Sequence, residues 1–414
     1  MLTEEGHASV FVPASLDFQF VWMRFLQRPL VARSLARASR RFAAASGAWE
    51  NAPTVYVAEC PPEPYDIAAA LSAAPLELSP RCSAALASAA DPHALVEAEI
   101  GDITAGIMGL MGRNRAIVSF VEARFAQRRA TNATLRPTLA LLMADAVGAH
   151  VRGGEFGGDD DRRSESDVAL RRAEREDVRR IASIAEMLHM ATRLHGEVAT
   201  TAPRPVDEAA PLSVSASGQD KLAILAGDFL LARASVFLSR IRRVEIVEML
   251  ASVLEHLVVA GVDREPAVPR DARDAVRANG QRAFYRTASL TAHSCLAAAI
   301  VGSGADARSS DELASQKRAW SAAATFGENL GLVLHLQREA AASEAAGSSS
   351  EKRLGALLDG LAGGEGGTGS GVAAIRRLAR VHANRGMEAL VDGLHASESR
   401  DALLRMANAA ASPE

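Results

Sequence analysis

Apolar residues recur every three or four positions along most of this chain, which is the spacing that places them on one face of an α-helix. The clearest run lies between residues 170 and 200 and consists of Val178, Ile181, Ile184, Leu188, Ala191, Leu194 and Val198. Comparable patterns predict helices over roughly 96–129, 137–152, 244–261, 281–301, 311–342, 371–391 and 398–410. No segment alternates apolar and polar residues as a half-buried strand would. The pattern therefore predicts an all-α protein folded as a single large helical bundle.

The segment over 221–240 is apolar on nearly every side rather than on one face. Its large apolar residues are Leu222, Leu225, Phe229, Leu230, Val236 and Phe237. A helix that is hydrophobic all round is typical of the buried centre of a bundle. This apolar surface is also larger than one intramolecular face requires, so we expect the helix to pair with another protein.

Composition divides the chain into a leader over 1–50, an irregular proline-rich lead-in over 51–95 and a helical domain over 96–414. Two low-complexity loops, at 153–167 and 346–371, interrupt the helical domain. These loops are rich in glycine and polar residues, so we expect them to add nothing to the packed core.

The leader is rich in arginine from Met23 onward, carries apolar residues between the arginines, and has no acidic residue before Glu50. An acid-free, arginine-rich amphipathic stretch is typical of an organellar transit peptide. Met23 is also a candidate start of the protein, because Glu4 and Glu5 precede it and break the pattern.

Composition sets further limits on the class of protein. The chain is 48% hydrophobic and 23% charged, which is typical of a globular protein, and its 4% of aromatic residues predicts packing through alanine and aliphatic side chains. The net charge of −4 and the pI of about 6.2 give no reason to expect a nucleic-acid partner. Cys60, Cys82 and Cys295 form neither a disulfide framework nor a metal-ligand pattern. No uninterrupted apolar run reaches the roughly 18 residues of a membrane span, so we expect no transmembrane segment.

Three stretches resemble a known family. They are EMLHMATRLH from Glu186 to His195, KLAILAGDFLLARA from Lys221 to Ala234, and FGENLGLVLHL from Phe326 to Leu336. Together they resemble the polyprenyl synthetase family of trans-isoprenyl diphosphate synthases, over roughly 96–414. The resemblance implies the isoprenoid synthase bundle. It also implies condensation of isopentenyl diphosphate with an allylic diphosphate, using magnesium held by two aspartate-rich motifs.

The positions of those two motifs hold few carboxylates in this chain. They are Gly196, Glu197 and Thr200 for the first motif, and Arg338, Glu339 and Ala342 for the second. Magnesium neutralises the departing diphosphate and binds clustered oxygen ligands. Each motif keeps a single glutamate, and Arg338 places a cation where a metal ligand belongs. We therefore expect no catalytic residue and no metal site in this chain.

The diphosphate-binding basic motifs of the family are reduced as well. The first falls on 131–137, where only Arg136 and Pro137 remain, and the second on Arg286-Thr287. A guanidinium can hold phosphate oxygens through two parallel hydrogen bonds. Arg136, Arg286 and Thr287 are therefore the candidate substrate-binding residues, and prenyl diphosphates are the candidate ligands.

A long helix that is kept while the motifs are lost resembles the non-catalytic subunits of heteromeric decaprenyl and solanesyl diphosphate synthases. The ending of the chain, from Gly371 to Leu403, is similar to theirs. In the long helix, Gly227, Asp228 and Phe229 are expected at an interface or in the core. The resemblance implies a catalytic polyprenyl diphosphate synthase as partner, with magnesium bound in that partner. It also implies a role in making the ubiquinone side chain in the mitochondrion, with the plastid as the alternative.

Two other functions fit the same residues. The first is a divergent active prenyltransferase that uses Glu197, Glu339, Arg286 and Arg136 with fewer metal ions. The second is a prenyl-lipid-binding protein that uses the bundle without a synthase partner.

Overall fold

The computed structural model describes residues 76–110, 115–129, 134–153, 165–200, 216–262, 272–304, 309–346, 354 and 369–412. These residues belong to one compact unit. The described helices are α1 (Pro80–Ser88), α2 (Pro92–Leu110), α3 (Arg115–Arg129), α4 (Leu135–Val151), α5 (Glu165–Thr200), α6 (Ala216–Ile241), α7 (Val244–Val262), α8 (Ala272–Ala283), the π turn (Phe284–Ala288), α9 (Ser289–Gly302), α10 (Ser310–Ala346), α11 (Gly369–Gly393) and α12 (Glu398–Ala411). No strand occurs among these residues, so the prediction of an all-α fold is confirmed.

Two helix starts show how local sequence sets the bounds. The side chain of Ser79 accepts a hydrogen bond from the backbone N–H of Cys82 at 3.3 Å, and Pro80 occupies the first helical position of α1. Ser397 caps α12 in the same way, accepting from the N–H of Arg400 at 3.2 Å. Both arrangements satisfy backbone donors that have no partner within the helix.

The centre of the bundle is formed by α4 and α9. Every residue of α9 from Ser289 to Val301 is buried, as are residues 135–150 of α4 apart from Asp145. The two helices approach closely, because a Cβ atom at Gly302 would overlap the backbone of Ala144. This is the packing through small residues that the alanine-rich composition predicts.

The position predicted for 221–240 at the centre of the bundle is wrong. This segment lies in α6, where Leu225 is 55% exposed and Val236 is 40% exposed. The opposite side of α6, including Leu230, packs into the core. The sequence shows apolar residues around most of the helix, but it does not show that only one side of α6 is buried among the described residues.

Several predicted bounds also need correction. The lead-in over 51–95 is not irregular throughout, because α1 and the first residues of α2 lie in it. The loop at 153–167 ends where α5 begins, and the loop at 346–371 ends where α11 begins, each a few residues earlier than predicted. The leader over 1–50 lies outside the described residues.

One described helical segment, Gly218–Ile241, is long and apolar enough to cross a membrane as judged by length and composition alone. The core helix of a soluble protein passes the same test, so a single helix of this kind is weak evidence. Asp228 and Arg233 interrupt the segment, which is why a search for an unbroken apolar run does not find it.

Candidate functional site

Contacts between neighbouring helices show which way α4, α5 and α10 run. Near the C-terminal end of α4, Asp145 Oδ1 accepts a hydrogen bond from Arg175 Nη1 at 2.7 Å, and Arg175 lies in the N-terminal third of α5. Further along α4, His150 Nε2 lies 2.9 Å from the hydroxyl of Ser315, near the start of α10. Both α5 and α10 therefore run antiparallel to α4.

The π turn packs against the later part of α10, because a Cβ atom at Gly331 would overlap Ala288. The beginning of α4, the end of α5, the π turn and the last third of α10 therefore lie at the same end of the bundle. We call this the motif end. The sequence-predicted residues located there are Arg136, Glu197, Arg286 and Glu339.

The first motif lies in the last turns of α5. Gly196 is exposed with open space around its Cα, Glu197 is half-buried, and the side chain of Thr200 lies outside the described residues. Just before it, His195 Nε2 lies 3.3 Å from both the carbonyl oxygen of Ile224 and Asp228 Oδ1 on α6. The carboxylate of Asp228 on α6 is thus in contact with a histidine of α5.

The second motif lies on α10, where Arg338 is exposed while Glu339 and Ala342 are half-buried. His335, one turn before Glu339, is buried, and its Nε2 lies 3.2 Å from Asn279 Oδ1 and 4.0 Å from Glu339 Oε1. Burial lowers the pKa of His335 to about 3, with smaller contributions from Arg338, Arg286 and Arg282. At neutral pH the imidazole is therefore uncharged and donates its Nε2–H to Asn279.

Arg286 and Thr287 both lie in the π turn. Thr287 is buried, and its carbonyl oxygen accepts a hydrogen bond from the hydroxyl of Thr291 at 3.1 Å. Arg286 reaches solvent, yet its pKa is lowered, first by partial burial and then by the nearby charge of Arg282. Glu339 acts in the opposite direction and raises the pKa of Arg286, which places the two predicted residues near each other.

Arg136 lies in the first turn of α4 and is 4% exposed. A buried guanidinium at this end of the bundle is compatible with the predicted contact to a ligand's phosphate. Its role as a substrate-binding residue stays a prediction.

The three residues expected at an interface or in the core of the long helix differ from one another. Gly227 is buried, and a Cβ atom there would overlap the imidazole of His195 on α5. Asp228 is exposed, and Phe229 is half-buried against the core with the guanidinium carbon of Arg233 5.1 Å from its ring centroid. Gly227 therefore marks a close approach between α5 and α6 within the chain.

The described residues do not fit the magnesium cluster that the family resemblance implies. Within the described ranges, no group of three or more His, Cys, Asp or Glu side chains is arranged to hold a metal ion. Glu197 and Glu339 are single carboxylates on different helices, whereas magnesium needs several oxygen ligands around it.

Sequence reasoning missed Asn279, Arg282 and the buried state of His335. Asn279 and Arg282 belong to α8, which joins the motif end only because α8 packs beside the π turn and α10. Arg282 does lie four residues before Arg286, a spacing that puts two residues on one side of a helix. That spacing is the one signal that could have found it.

The fold and the location of the motif residues define the class of this protein as a helical bundle of the isoprenoid synthase type. Residues 129–337, more than half of the chain, match the family model described as polyprenyl synthetase. The chain therefore belongs to the polyprenyl synthetase family.

Curated relatives agree with this assignment. The chain is 38% identical over 164 residues to a probable mitochondrial hexaprenyl pyrophosphate synthase of Neurospora crassa, covering 38% of this chain and 33% of the relative. It is 31% identical over 249 residues to the mitochondrial solanesyl-diphosphate synthase 1 of Oryza sativa, covering 59% and 52%. It is 31% identical over 219 residues to the decaprenyl-diphosphate synthase subunit 1 of Schizosaccharomyces pombe, covering 50% and 56%. The chain thus spans a third to about half of the length of these relatives.

Solved structures support the fold alone. A polyprenyl synthase from Caulobacter crescentus, solved with calcium and isoprenyl diphosphate, superposes with a TM-score of 0.50 at 20% identity, covering 78% of this chain and 98% of that one. A geranylgeranyl pyrophosphate synthetase from Geoglobus acetivorans gives a TM-score of 0.52 at 17% identity, covering 78% and 99%.

Proposed function

We propose that this chain is a non-catalytic subunit of a heteromeric long-chain polyprenyl diphosphate synthase. The observation that carries the proposal is the second motif, where Arg338 and a single half-buried Glu339 occupy the positions of a carboxylate cluster. Ionising an allylic diphosphate requires positive charge around the departing diphosphate, which magnesium supplies when paired carboxylates hold it. One glutamate at each motif is too few for that task.

The exposed side of α6 supports the partnership. Leu225 and Val236 there are solvent-exposed, as are Val244, Val258 and Val259 on α7, the next helix along the chain. Apolar side chains that are buried on association contribute roughly 25 cal/mol per Å². We propose that a catalytic synthase subunit of the same family covers this side, and that the magnesium is bound in that partner. The name of the Schizosaccharomyces pombe relative, which is a subunit 1, supports a multi-subunit arrangement.

We propose the ubiquinone side chain as the product of the complex and the mitochondrion as its location. Two of the relatives are named mitochondrial, and the arginine-rich stretch that follows Met23 is typical of a transit peptide.

Affinity isolation of the tagged full chain from fractionated native cells tests the proposal. We expect recovery from the mitochondrial fraction together with a polyprenyl synthetase that carries both aspartate-rich motifs. The purified chain alone should not condense isopentenyl and allylic diphosphates in magnesium, and the partner should make less product without this chain.

Other outcomes would favour the alternatives. Magnesium-dependent turnover by the chain alone, abolished by Glu197→Ala or Glu339→Ala, would identify a divergent enzyme. Recovery of bound prenyl lipid without any synthase would identify a lipid-binding protein.

A further inference from the structure

A single histidine joins three elements at the end of the bundle opposite the motif end. His150 lies in the last turn of α4 and is 7% exposed. Its Nδ1 accepts a hydrogen bond from the backbone N–H of His395 at 3.1 Å, and its Nε2 lies 2.9 Å from the hydroxyl of Ser315 on α10. His395 belongs to the connection between α11 and α12. The side chain of His150 therefore links α4, α10 and this connection.

These contacts require a neutral imidazole. Because Nδ1 of His150 accepts the N–H of His395, the one ring proton of the neutral form is on Nε2, which donates it to Ser315. A second proton can bind only at Nδ1, where it would face the N–H of His395. Protonation of His150 therefore removes the acceptor and breaks its contact with the connection.

The surroundings of His150 disfavour its protonated form. The ring of His395 lies 4.3 Å from that of His150, centroid to centroid. Arg318 lies beside the end of α11, since its carbonyl oxygen would be 3.4 Å from a Cβ atom at Gly393. Burial is the largest cause that lowers the pKa of His150, followed by His395 and then Arg318, while a hydrogen bond to Ser315 acts in the opposite direction.

Other charged groups at this junction have less influence on His150. Arg400 and Asp401, which belong to α12, pair with each other at 2.7 Å. The remaining charged side chains within three residues of His150, Ser315 or His395 do not enter into the lowered pKa; they are Arg152, Glu312, Lys317, Asp392 and Glu398.

The start of α12 depends on the connection that His150 contacts. Leu394, just before His395, is buried, and its carbonyl oxygen accepts a hydrogen bond from Arg400 Nη1 at 3.2 Å. Ser397, two residues after His395, caps α12. Displacing the connection would therefore disturb both contacts that hold the first turn of α12.

We propose that His150 is a pH-sensitive latch, which holds the connection between α11 and α12 against α4 and releases it, with the first turn of α12, when the imidazole is protonated. In the open arrangement the imidazole is in water, where it binds a proton near about pH 6.5. The closed arrangement excludes that proton until the pH is lower. The open population should therefore rise as the pH falls below about 6.5, by up to about tenfold for each pH unit. The latch does not depend on the proposed function.

Hydrogen–deuterium exchange of the full chain, read by mass spectrometry at peptides covering 394–397, tests the latch. Protection is expressed relative to the intrinsic exchange rate at each pH, which removes the pH dependence of the exchange reaction itself. From about pH 7.5 to about pH 5 we expect the protection of this segment to fall about threefold or more. It should also stay below the protection of the central helix α9, because the opening is local.

His150→Asn should remove this pH dependence, because asparagine keeps an oxygen close to the position of Nδ1 but does not titrate. His93→Asn is the matched control, since it makes the same substitution at an exposed histidine at the motif end, and it should keep the dependence. His395→Ala keeps the backbone N–H but removes the neighbouring ring that lowers the pKa of His150. The loss of protection should therefore remain in this variant and begin at a higher pH.

Three results would overturn the latch. They are an unchanged pH dependence in His150→Asn, its disappearance in His395→Ala, and a segment as well protected as α9 in the unsubstituted chain. Circular dichroism checks that His150→Asn folds. If it does not fold, His395→Ala still decides the question, because its substitution is at an exposed residue.

Discussion

At the level of single residues, Gly227 shows how one position joins two helices. His195 projects from α5 across the face of α6, where its Nε2 lies 3.3 Å from the carbonyl oxygen of Ile224 and from Asp228 Oδ1. The imidazole occupies the space that a side chain at Gly227 would need. Because Gly227 has no Cβ atom, the imidazole of His195 on α5 can pack directly against α6.

Replacing Gly227 tests this local role. We expect Gly227→Leu to lower the free energy of unfolding of the full chain by about 1–3 kcal/mol, since overpacking forces the histidine or the backbone to move. Urea unfolding followed by circular dichroism measures the change. Gly196→Ala is the control, because Gly196 is exposed in helix α5 with open space around it, and alanine should stabilise the helix by about 0.5–1 kcal/mol. If Gly227→Leu kept its free energy of unfolding but no longer bound the synthase partner, Gly227 would instead lie at the interface between subunits.

At the level of elements, the apolar pattern predicts where most helices lie along the chain, but not what each helix packs against. The apolar residues of α5, spaced three or four apart, lie on its buried side, and most predicted helices agree with the observed ones to within a few residues. The exceptions are the segment predicted over 96–129, which contains both α2 and α3, and α8, most of which precedes the predicted start at 281. The π turn at Phe284–Ala288 escaped prediction because one extra residue in a turn leaves the apolar pattern almost unchanged. The predicted location of α6 was wrong because an apolar pattern does not distinguish burial by the same chain from burial by another.

The exposed side of α6 can be tested with a matched pair of substitutions. Leu225→Glu should abolish recovery of the synthase partner and leave the chain folded, because Leu225 is 55% exposed and a charged side chain there can reach solvent. Leu170→Glu makes the same change on α5 at a leucine that is 50% exposed, and it should leave the partner bound. Affinity isolation with either variant measures the outcome. Equal recovery of the partner with both variants would place the interface elsewhere.

At the level of the whole molecule, the family resemblance predicted the residues of the motif end, but not their neighbours. Glu197, Glu339 and Arg286 could be found because they occupy the positions of known motifs. Asn279 could not, because its place depends on how α8 packs beside α10 rather than on any spacing along the chain, and Arg282 offered only its four-residue spacing from Arg286 as a signal. The neighbours of the motif residues are thus set by tertiary structure.

The stability of the whole fold also depends on tertiary structure, through two histidines that the fold buries. His293, in the central helix α9, is fully buried beside Ser289, whose hydroxyl lies 2.6 Å from Nδ1 of His256. Burial is the largest cause that lowers the pKa of His293 to about 4 and that of His335 to about 3. Both side chains are therefore neutral in the folded protein throughout the physiological pH range.

The stability of the chain should consequently fall as the pH falls. In the unfolded chain each histidine takes up a proton near pH 6.5, whereas in the folded chain His293 and His335 stay neutral down to about pH 4 and about pH 3. Between these values the unfolded state binds more protons, so each histidine lowers the free energy of unfolding by up to about 1.4 kcal/mol for each pH unit that the pH falls. Above about pH 7 neither histidine contributes a slope.

Urea unfolding between about pH 7.5 and about pH 5 measures this slope. His293→Gln should flatten it by about one histidine's share, while His93→Gln makes the same substitution at an exposed histidine and is the control. The buried carboxyl groups whose pKa values are raised, such as Glu328, contribute equally to all three proteins and cancel in the comparison. A slope in His293→Gln that matches the unsubstituted chain would show that the central helix tolerates a charged imidazole.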